Sequence, residues 1–401
     1  MRDNGYLLKN AFLPCRNEIV NILITDGVIE KIEKNLQVEQ DNVKVIDLDE
    51  RIVINGFVDG HMQLDKALIG DKVINQSGTL SEAINIMNQY KNKMTRDDVK
   101  ERARQVIDLA FENGTRFLRT HVDIDDQIEL KSLEALLELK EEYKSKIEIQ
   151  IVAFPQEGIN KNNHNYVYLE EALKMGADII GGIPANEQNP IEHMKKIFGL
   201  AKKYNVDIDM HIDETDNPNA LTIKDLAELT IKNDYIGRVT AGHLCSLAGN
   251  NKEDLAPIIK LIREARINII SLPSTNLYLQ GRNDSKNIRR GITPVKHLLE
   301  HGVGVMFASD NIRDPFNPFG NGNLLEQGLI AAHGCHMGGG EDLNRIFDML
   351  SVIPGQLLKF NYGIKVGHQA NFVVVDARTK ANSIIRQSGI YGYVLGNVLK
   401  L

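Results

Sequence analysis

Asn55-Gly56-Phe57-Val58-Asp59-Gly60-His61-Met62-Gln63-Leu64-Asp65 is an apolar run that passes straight into a polar cluster. Val53 to Val58 reads as a buried strand, so His61, Gln63 and Asp65 alternate on one side of the chain beyond it. A lone histidine after a strand is more often a hydrogen-bonded structural residue than a ligand. The reading sharpens because His211 with Glu214, His243, and Asp310 each follow a β-branched run of their own. Polar groups gathered at several strand ends are the pattern of a barrel whose chemistry sits on one face.

Outward from that stretch the chain alternates. Strand-like runs cover 53–58, 115–123, 147–154, 178–183, 206–212, 238–243, 267–272 and 303–308, with helical periodicity between them. Strand–helix alternation over about 250 residues predicts a closed (β/α)8 TIM-type barrel. An open doubly wound sheet would want a glycine-rich phosphate turn after the first strand, and 55–61 has no G-x-G-x-x-G. Both ends are strand-rich without helical periodicity. They include an Asp26-Gly27 hairpin signal, Ala370 to Asp376 and Ile390 to Val398, so the termini are expected to pair into one small β domain.

With 401 residues, 42% of them hydrophobic, the chain can bury a barrel-sized core and a smaller companion. The formal net charge of −7 is spread through the sequence. That excludes a basic nucleic-acid footprint or a polybasic membrane patch and favours a small-molecule partner. Met1 to Phe12 lacks a signal-peptide pattern and no run of about 18 apolar residues occurs, so a soluble cytoplasmic protein is expected. Cys15, Cys245 and Cys335 are an odd, dispersed set, read as reduced thiols.

Each polar candidate has an expected address. His61 and Gln63 end the first strand; Arg119, Thr120, His121 and Asp123 the second; Gln156 and Glu157 follow the third. His211, Asp213 and Glu214 end the fifth, His243 the sixth, and Ser309, Asp310 and Asn311 the eighth. Neutral imidazoles and a carboxylate from His61, His211 and Asp310 could hold a divalent metal that makes hydroxide available near neutral pH. Glu214, three residues after His211, could shuttle a proton from water to a leaving nitrogen, and His243 could polarise a carbonyl or steady a tetrahedral centre. The alternatives at these positions are ordinary. Asp65, Asp123 and Asp213 could cap helices, and His121 could orient a ligand or fill a barrel layer.

Together these residues resemble the metal-dependent amidohydrolase superfamily, and within it cytosine deaminase and its close relatives. The resemblance rests on 56–61, on Arg119-Thr120-His121-Val122-Asp123, on Ala153 to Ile159, on His211-Ile212-Asp213-Glu214, on Leu279-Gln280-Gly281-Arg282 and on Ser309-Asp310-Asn311. It implies a distorted barrel with a β-sandwich from both termini, divided as 1–54, 55–358 and 359–401. It also implies one divalent ion, zinc or iron, held by His61, Gln63, His211 and Asp310, with Glu214, His243 and Asp310 catalytic. Gln156, Asn311 and Phe316 would bind the heterocycle, and the protein would be a homo-oligomer.

Three positions depart from the family pattern. His61-Met62-Gln63 replaces His-x-His, Asn311 stands where an aspartate meets the substrate, and Phe316 stands where a tryptophan resembles the norm. A glutamine oxygen is a weaker, neutral ligand, and an amide reads a ring amino group without charge. The expected activity is hydrolytic deamination of a small amino-substituted nitrogen heterocycle. A cyclic amide or imide hydrolase, and a metal-poor barrel that binds a heterocycle without turning it over, remain as alternatives.

Overall fold

The computed structural model describes residues 5–37, 42–160 and 163–401. Residues 1–4 and 38–41 of the expected 1–54 segment, and 161–162 of the expected 55–358 segment, lie outside the described residues.

The N-terminal part contributes β1 (Gly5–Leu13), β2 (Glu18–Thr25), β3 (Val28–Glu33), β4 (Val43–Asp47) and β5 (Ile52–Ile54). Asp26 and Gly27 both have positive φ, 49° and 76°, as a two-residue hairpin turn between β2 and β3 requires. The next eight strands form the barrel: β6 (Phe57–Met62), β7 (Thr115–Asp123), β8 (Glu148–Phe154), β9 (Ile179–Gly182), β10 (Asp207–Ile212), β11 (Val239–His243), β12 (Asn268–Ser271) and β13 (Val305–Phe307). They lie in sequence order and are parallel throughout. The C-terminal part adds β14 (Asn371–Val375), β15 (Ile390–Leu395) and β16 (Val398–Lys400).

β14 pairs with β5, so both termini share one eight-stranded sheet in the order β16-β15-β14-β5-β1-β2-β3, with β4 also on β1. The start of β3 returns to the segment before β14 through the Val28–Gln369 bridge. The sheet thus folds over a core that includes Leu8, Ile22, Val53, Phe372 and Val394. This is the layered β domain expected of the two ends. The 359–401 part also carries a helix, Lys380–Arg386, that the strand-like texture did not suggest.

One boundary differs from the sequence reading. The apolar run 53–58 is not one strand: Ile52–Ile54 belongs to the terminal sheet and Phe57–Met62 to the barrel. Gly56 separates them at φ 135°, where a side chain would also meet Arg116 at 2.5 Å. Hydrophobicity cannot register such a break, because both halves are buried. The shift places His61 inside its strand rather than beyond it.

Within the barrel the layers change character along the strands. Val58, Phe117, Ile270 and Met306 pack with Leu358 and Phe360 in an apolar plug. Further along β7 and β10 comes a polar layer, in which Arg119 holds Asp209 at 2.8 Å and Gln150 at 2.8 Å. The ring closes between β13 and β6 at the next level. There the Asp310 amide donates to the His61 carbonyl at 2.8 Å, and the Gln63 amide to the Asp310 carbonyl at 3.3 Å. Asp59 reinforces the seam by accepting from both the backbone N–H and the hydroxyl of Ser309. Among the described residues no helix is long and apolar enough to cross a membrane.

Candidate metal centre and active site

The C-terminal strand ends bring together residues far apart in the chain. Ligating atoms of His61, His211, His243 and Asp310 all lie within 4.8 Å of one another, and all four residues are buried. His61 Nε2 is 3.5 Å from Asp310 Oδ1. Glycine at 242 is what admits the His61 ring, since a Cβ there would stand 3.2 Å from it. Phe154 stacks on His211 with ring centroids 4.3 Å apart, fixing that imidazole. His243 and Asp310 both have positive φ, 75° and 63°, a backbone conformation that costs energy in residues with side chains and recurs at functional sites.

Electrostatics favour the neutral forms of His211 and His243 and the charged form of Asp310. Burial, with crowding by His61, His243 and His121, pushes His211 well below its ordinary value. Burial likewise pushes His243 down to about 3. Burial acts to raise Asp310, but His61, whose Nε2 lies 3.5 Å away, together with His243 and Gln63 outweighs it and holds the carboxyl at about 2. Both ring nitrogens of His61, His211 Nδ1, His243 Nε2 and Asp310 Oδ2 are buried without a hydrogen-bond partner. Unpaired buried polar atoms cost about 1–3 kcal/mol each. Their convergence around one carboxylate fits a divalent cation. A second set, His61, His121 and Asp209, is also close enough to consider. Its carboxylate is already compensated by Arg119, which opposes a cation there, and His121 lies 3.4 Å from Asp209 as its companion.

Gln63 enters this cluster amide-first. Its Nε2 is 3.0 Å from His211 Nε2 and 3.4 Å from Asp310 Oδ1, and its oxygen accepts from Lys66 Nζ at 2.8 Å. Asp65, expected on the same side, turns to the neighbouring strand and accepts from the Asp123 amide at 2.8 Å. Neither Asp65 nor Asp123 caps a helix. Asp123 lies between two buried lysines, Lys66 at 2.5 Å and Lys91 at 2.8 Å. Asp213 does serve a helix start, accepting from the Thr222 and Ile223 amides at 3.0 Å each.

Above the cluster lies a small cavity of about 50 Å³ lined by Gln63, Gln156, Glu214, His243, Asn311 and Phe316, among others. The nominated residues therefore do meet in one place. Glu214 Oε1 is 3.2 Å from His243 Nδ1, and burial together with the Asp310 charge raises its carboxyl well above the ordinary value. Asn311 donates to Asp314 at 2.6 Å. A roomier groove of about 510 Å³ runs past Lys252, Arg289 and Arg290. Its lining includes His297 and Glu300, which with His301 make a third set close enough to hold an ion, but that set is largely exposed where the His61, His211, His243 and Asp310 set is fully buried, so burial and side-chain chemistry rather than size locate the site.

Several participants escaped the sequence reading. Asn276 donates to His243 Nδ1 at 3.1 Å and to Glu214 at 3.4 Å from the helix Pro273–Leu279. Asn186, in the cavity wall after β9, donates to the Gln156 carbonyl at 2.7 Å. Lys66 and Lys91 are buried, an uncommon setting for lysine that the sequence analysis did not assign. The only advance signal was position: Asn186 and Asn276 follow the fourth and seventh strands, the two to which no polar candidate had been assigned.

A family profile described as "Amidohydrolase family" matches residues 44–398. The chain belongs to the amidohydrolase family. This amidohydrolase is 33% identical over 397 residues to the N-isopropylammelide isopropyl amidohydrolase of Pseudomonas sp. (strain ADP), covering 96% of this chain and 94% of the relative. It is 30% identical over 389 residues to the pterin deaminase of Rhizobium rhizogenes, covering 93% and 88%. Its fold superposes on 5-methylcytosine deaminase from Klebsiella pneumoniae, liganded with 5-fluorocytosine, at a TM-score of 0.93 and 34% identity, covering 99% and 97%. The chain is thus a superfamily member related to cytosine deaminase, with a buried histidine and aspartate cluster of the kind in which the family binds a divalent metal.

Proposed function

We propose that this amidohydrolase is a metal-dependent hydrolytic deaminase of a small amino-substituted nitrogen heterocycle, with cytosines carrying a small ring substituent as the first candidates. The observation that carries the reading is Glu214, 3.2 Å from His243, on a cavity that is also lined by His211 of the His61, His211 and Asp310 cluster. A divalent ion held by His61, His211 and Asp310 would supply Lewis acidity and make hydroxide available near neutral pH. Glu214 takes a proton from the attacking water and returns it to the leaving nitrogen. Asn276 donates to His243 Nδ1, which leaves the proton on Nε2 and makes that atom a donor toward the developing tetrahedral oxygen. This role takes His243 out of the ligand set. Gln156, Asn311 and Phe316 hold the ring, and the small cavity suits a compact substrate. Similarity to deaminases of pterin and of 5-methylcytosine supports ammonia as the product.

The test pairs metal analysis of protein purified without chelator with an ammonia-release screen over pyrimidines, pterins, creatinine-like rings and triazines. Metal-bearing protein that releases ammonia from one of these supports the reading. Ring opening without ammonia would replace it with a cyclic amide hydrolase, and metal-free protein that binds a ring unchanged would make it a binding barrel.

A further inference from the structure

Gln63 occupies the place where the family pattern has a second metal-binding histidine, and its side chain has two chemically opposite ends. The carbonyl oxygen can coordinate a cation; the NH2 has no available lone pair and can only donate. Which end faces the cluster decides whether Gln63 is a ligand at all.

Lys66 decides it. Its ammonium group is a donor with three protons, and three acceptors surround it: Gln63 Oε1 at 2.8 Å, Asp65 Oδ1 at 3.3 Å and Asp123 Oδ1 at 2.5 Å. The two carboxylates pair with the buried ammonium, Asp123 being the nearer. Turning the amide over would set NH2 against a buried ammonium, two donors face to face with nothing to accept. The backbone gives no slack either, because the Gln63 N–H is bonded to the Asp310 carbonyl and the Lys66 N–H to the Gln63 carbonyl. The NH2 is left pointing at Asp310 Oδ1 and His211 Nε2.

We propose that Lys66 locks the Gln63 amide with its oxygen turned away from the His61, His211 and Asp310 cluster, so that Gln63 is a donor that positions Asp310 and not a ligand of the ion. The proposal rests on the metal-centre reading above and corrects one member of its expected ligand set. It makes the centre one with fewer protein ligands than the His-x-His pattern provides, and it assigns Lys66 a positioning role through Gln63.

The experiment measures zinc affinity by competition with a chromophoric chelator, and the visible spectrum of the cobalt-loaded protein, which reports the ligand set. It compares wild type, Gln63→Ala, Lys66→Met and the double variant. Gln63→Ala is expected to keep zinc affinity within threefold and leave the cobalt spectrum unchanged. A loss of tenfold or more with an altered spectrum overturns the proposal. Lys66→Met frees the amide to present its oxygen, so zinc should bind at least threefold more tightly, with a changed cobalt spectrum and with the gain abolished in the double variant. A gain that survives in the double variant is a plain charge effect, and it overturns the lock, as does no gain at all. Should Lys66→Met fail to fold, the Gln63→Ala comparison decides by itself. Wild type that takes up neither metal overturns the metal-centre reading and this proposal with it. Uptake by wild type with loss in Gln63→Ala overturns this proposal alone.

Discussion

Burial and the negative Asp310 below it raise the Glu214 carboxyl well above its ordinary value. Glu214→Gln keeps the size and the hydrogen bonding but removes the titrating proton. Turnover should fall on the order of 10²-fold or more with metal content and melting temperature nearly unchanged, as steady-state kinetics and thermal melts would show. Near-normal turnover in that variant would remove Glu214 from the shuttle role. Asn311 poses a specificity question, because its NH2 is committed to Asp314 at 2.6 Å. Burial pushes the Asp314 carboxyl up to about 7, against the hydrogen bonds from Asn311, Asn317 and Phe316 that lower it. A protonated Asp314 can donate to an aspartate at 311 as readily as a charged one accepts from the amide. Asn311→Asp should therefore be accommodated, restore a charged acceptor for a ring amino group, and raise kcat/KM for cytosine relative to wild type. An unchanged value at equal metal content would show that Asn311 is not what discriminates against cytosine.

The helix Leu80–Lys91 is the element that covers the site. Thr79 caps its start by accepting from the Glu82 amide, and Leu80 and Ile84 reach the cavity wall. Its far end is tied down by Lys91, which lies 2.8 Å from Asp123, 2.6 Å from Asp125 and 3.1 Å from Glu157. Glu157 follows Gln156, so the same ammonium joins the covering helix to the loop expected to hold the ring. Removing one partner from a buried charged network leaves the others uncompensated, which typically costs about 3–5 kcal/mol. Lys91→Met should lower stability by about that amount in denaturant unfolding and raise KM more than it lowers kcat, since cover and loop lose their common anchor. A KM equal to that of wild type would detach the helix from substrate binding.

At the scale of the molecule, the site sits on the barrel's own closure, so anything that binds the site should stabilise the whole barrel. An ion that binds the folded chain alone contributes RT ln(1 + [L]/Kd), about 4 kcal/mol at a thousandfold excess over Kd. Stripping the protein with chelator should lower its melting temperature, and adding back zinc should restore it; identical melts would mean that no ion is held. Asp314 predicts a pH dependence. Its folded value, about 7, lies above the ordinary 3.8, so between about pH 4 and 7 the folded state binds more protons than the unfolded state. Its contribution to stability is therefore greatest below pH 4 and is lost as the pH rises toward 7. Asp314→Asn should flatten that part of the stability profile, measured by urea unfolding at intervals across the range.

Periodicity and strand-end chemistry in the sequence were enough to determine the barrel, the pairing of the two termini and the cluster of His61, His211, His243, Glu214 and Asp310. Those features repeat locally: each strand carries its own apolar run and its own polar end, and parallel strands in order bring the ends together. The tertiary structure alone decided what depends on distant partners. Gly56 divides one apolar run between two sheets because Arg116 packs against it. Lys66 and Lys91 are buried because carboxylates from other strands and loops surround them, and Asn276 reaches His243 across 33 residues of chain. The orientation of Gln63 belongs with these. Its identity is written in the sequence, but which end of the amide meets the cluster depends on a buried ammonium that is itself paired with an aspartate 57 positions away.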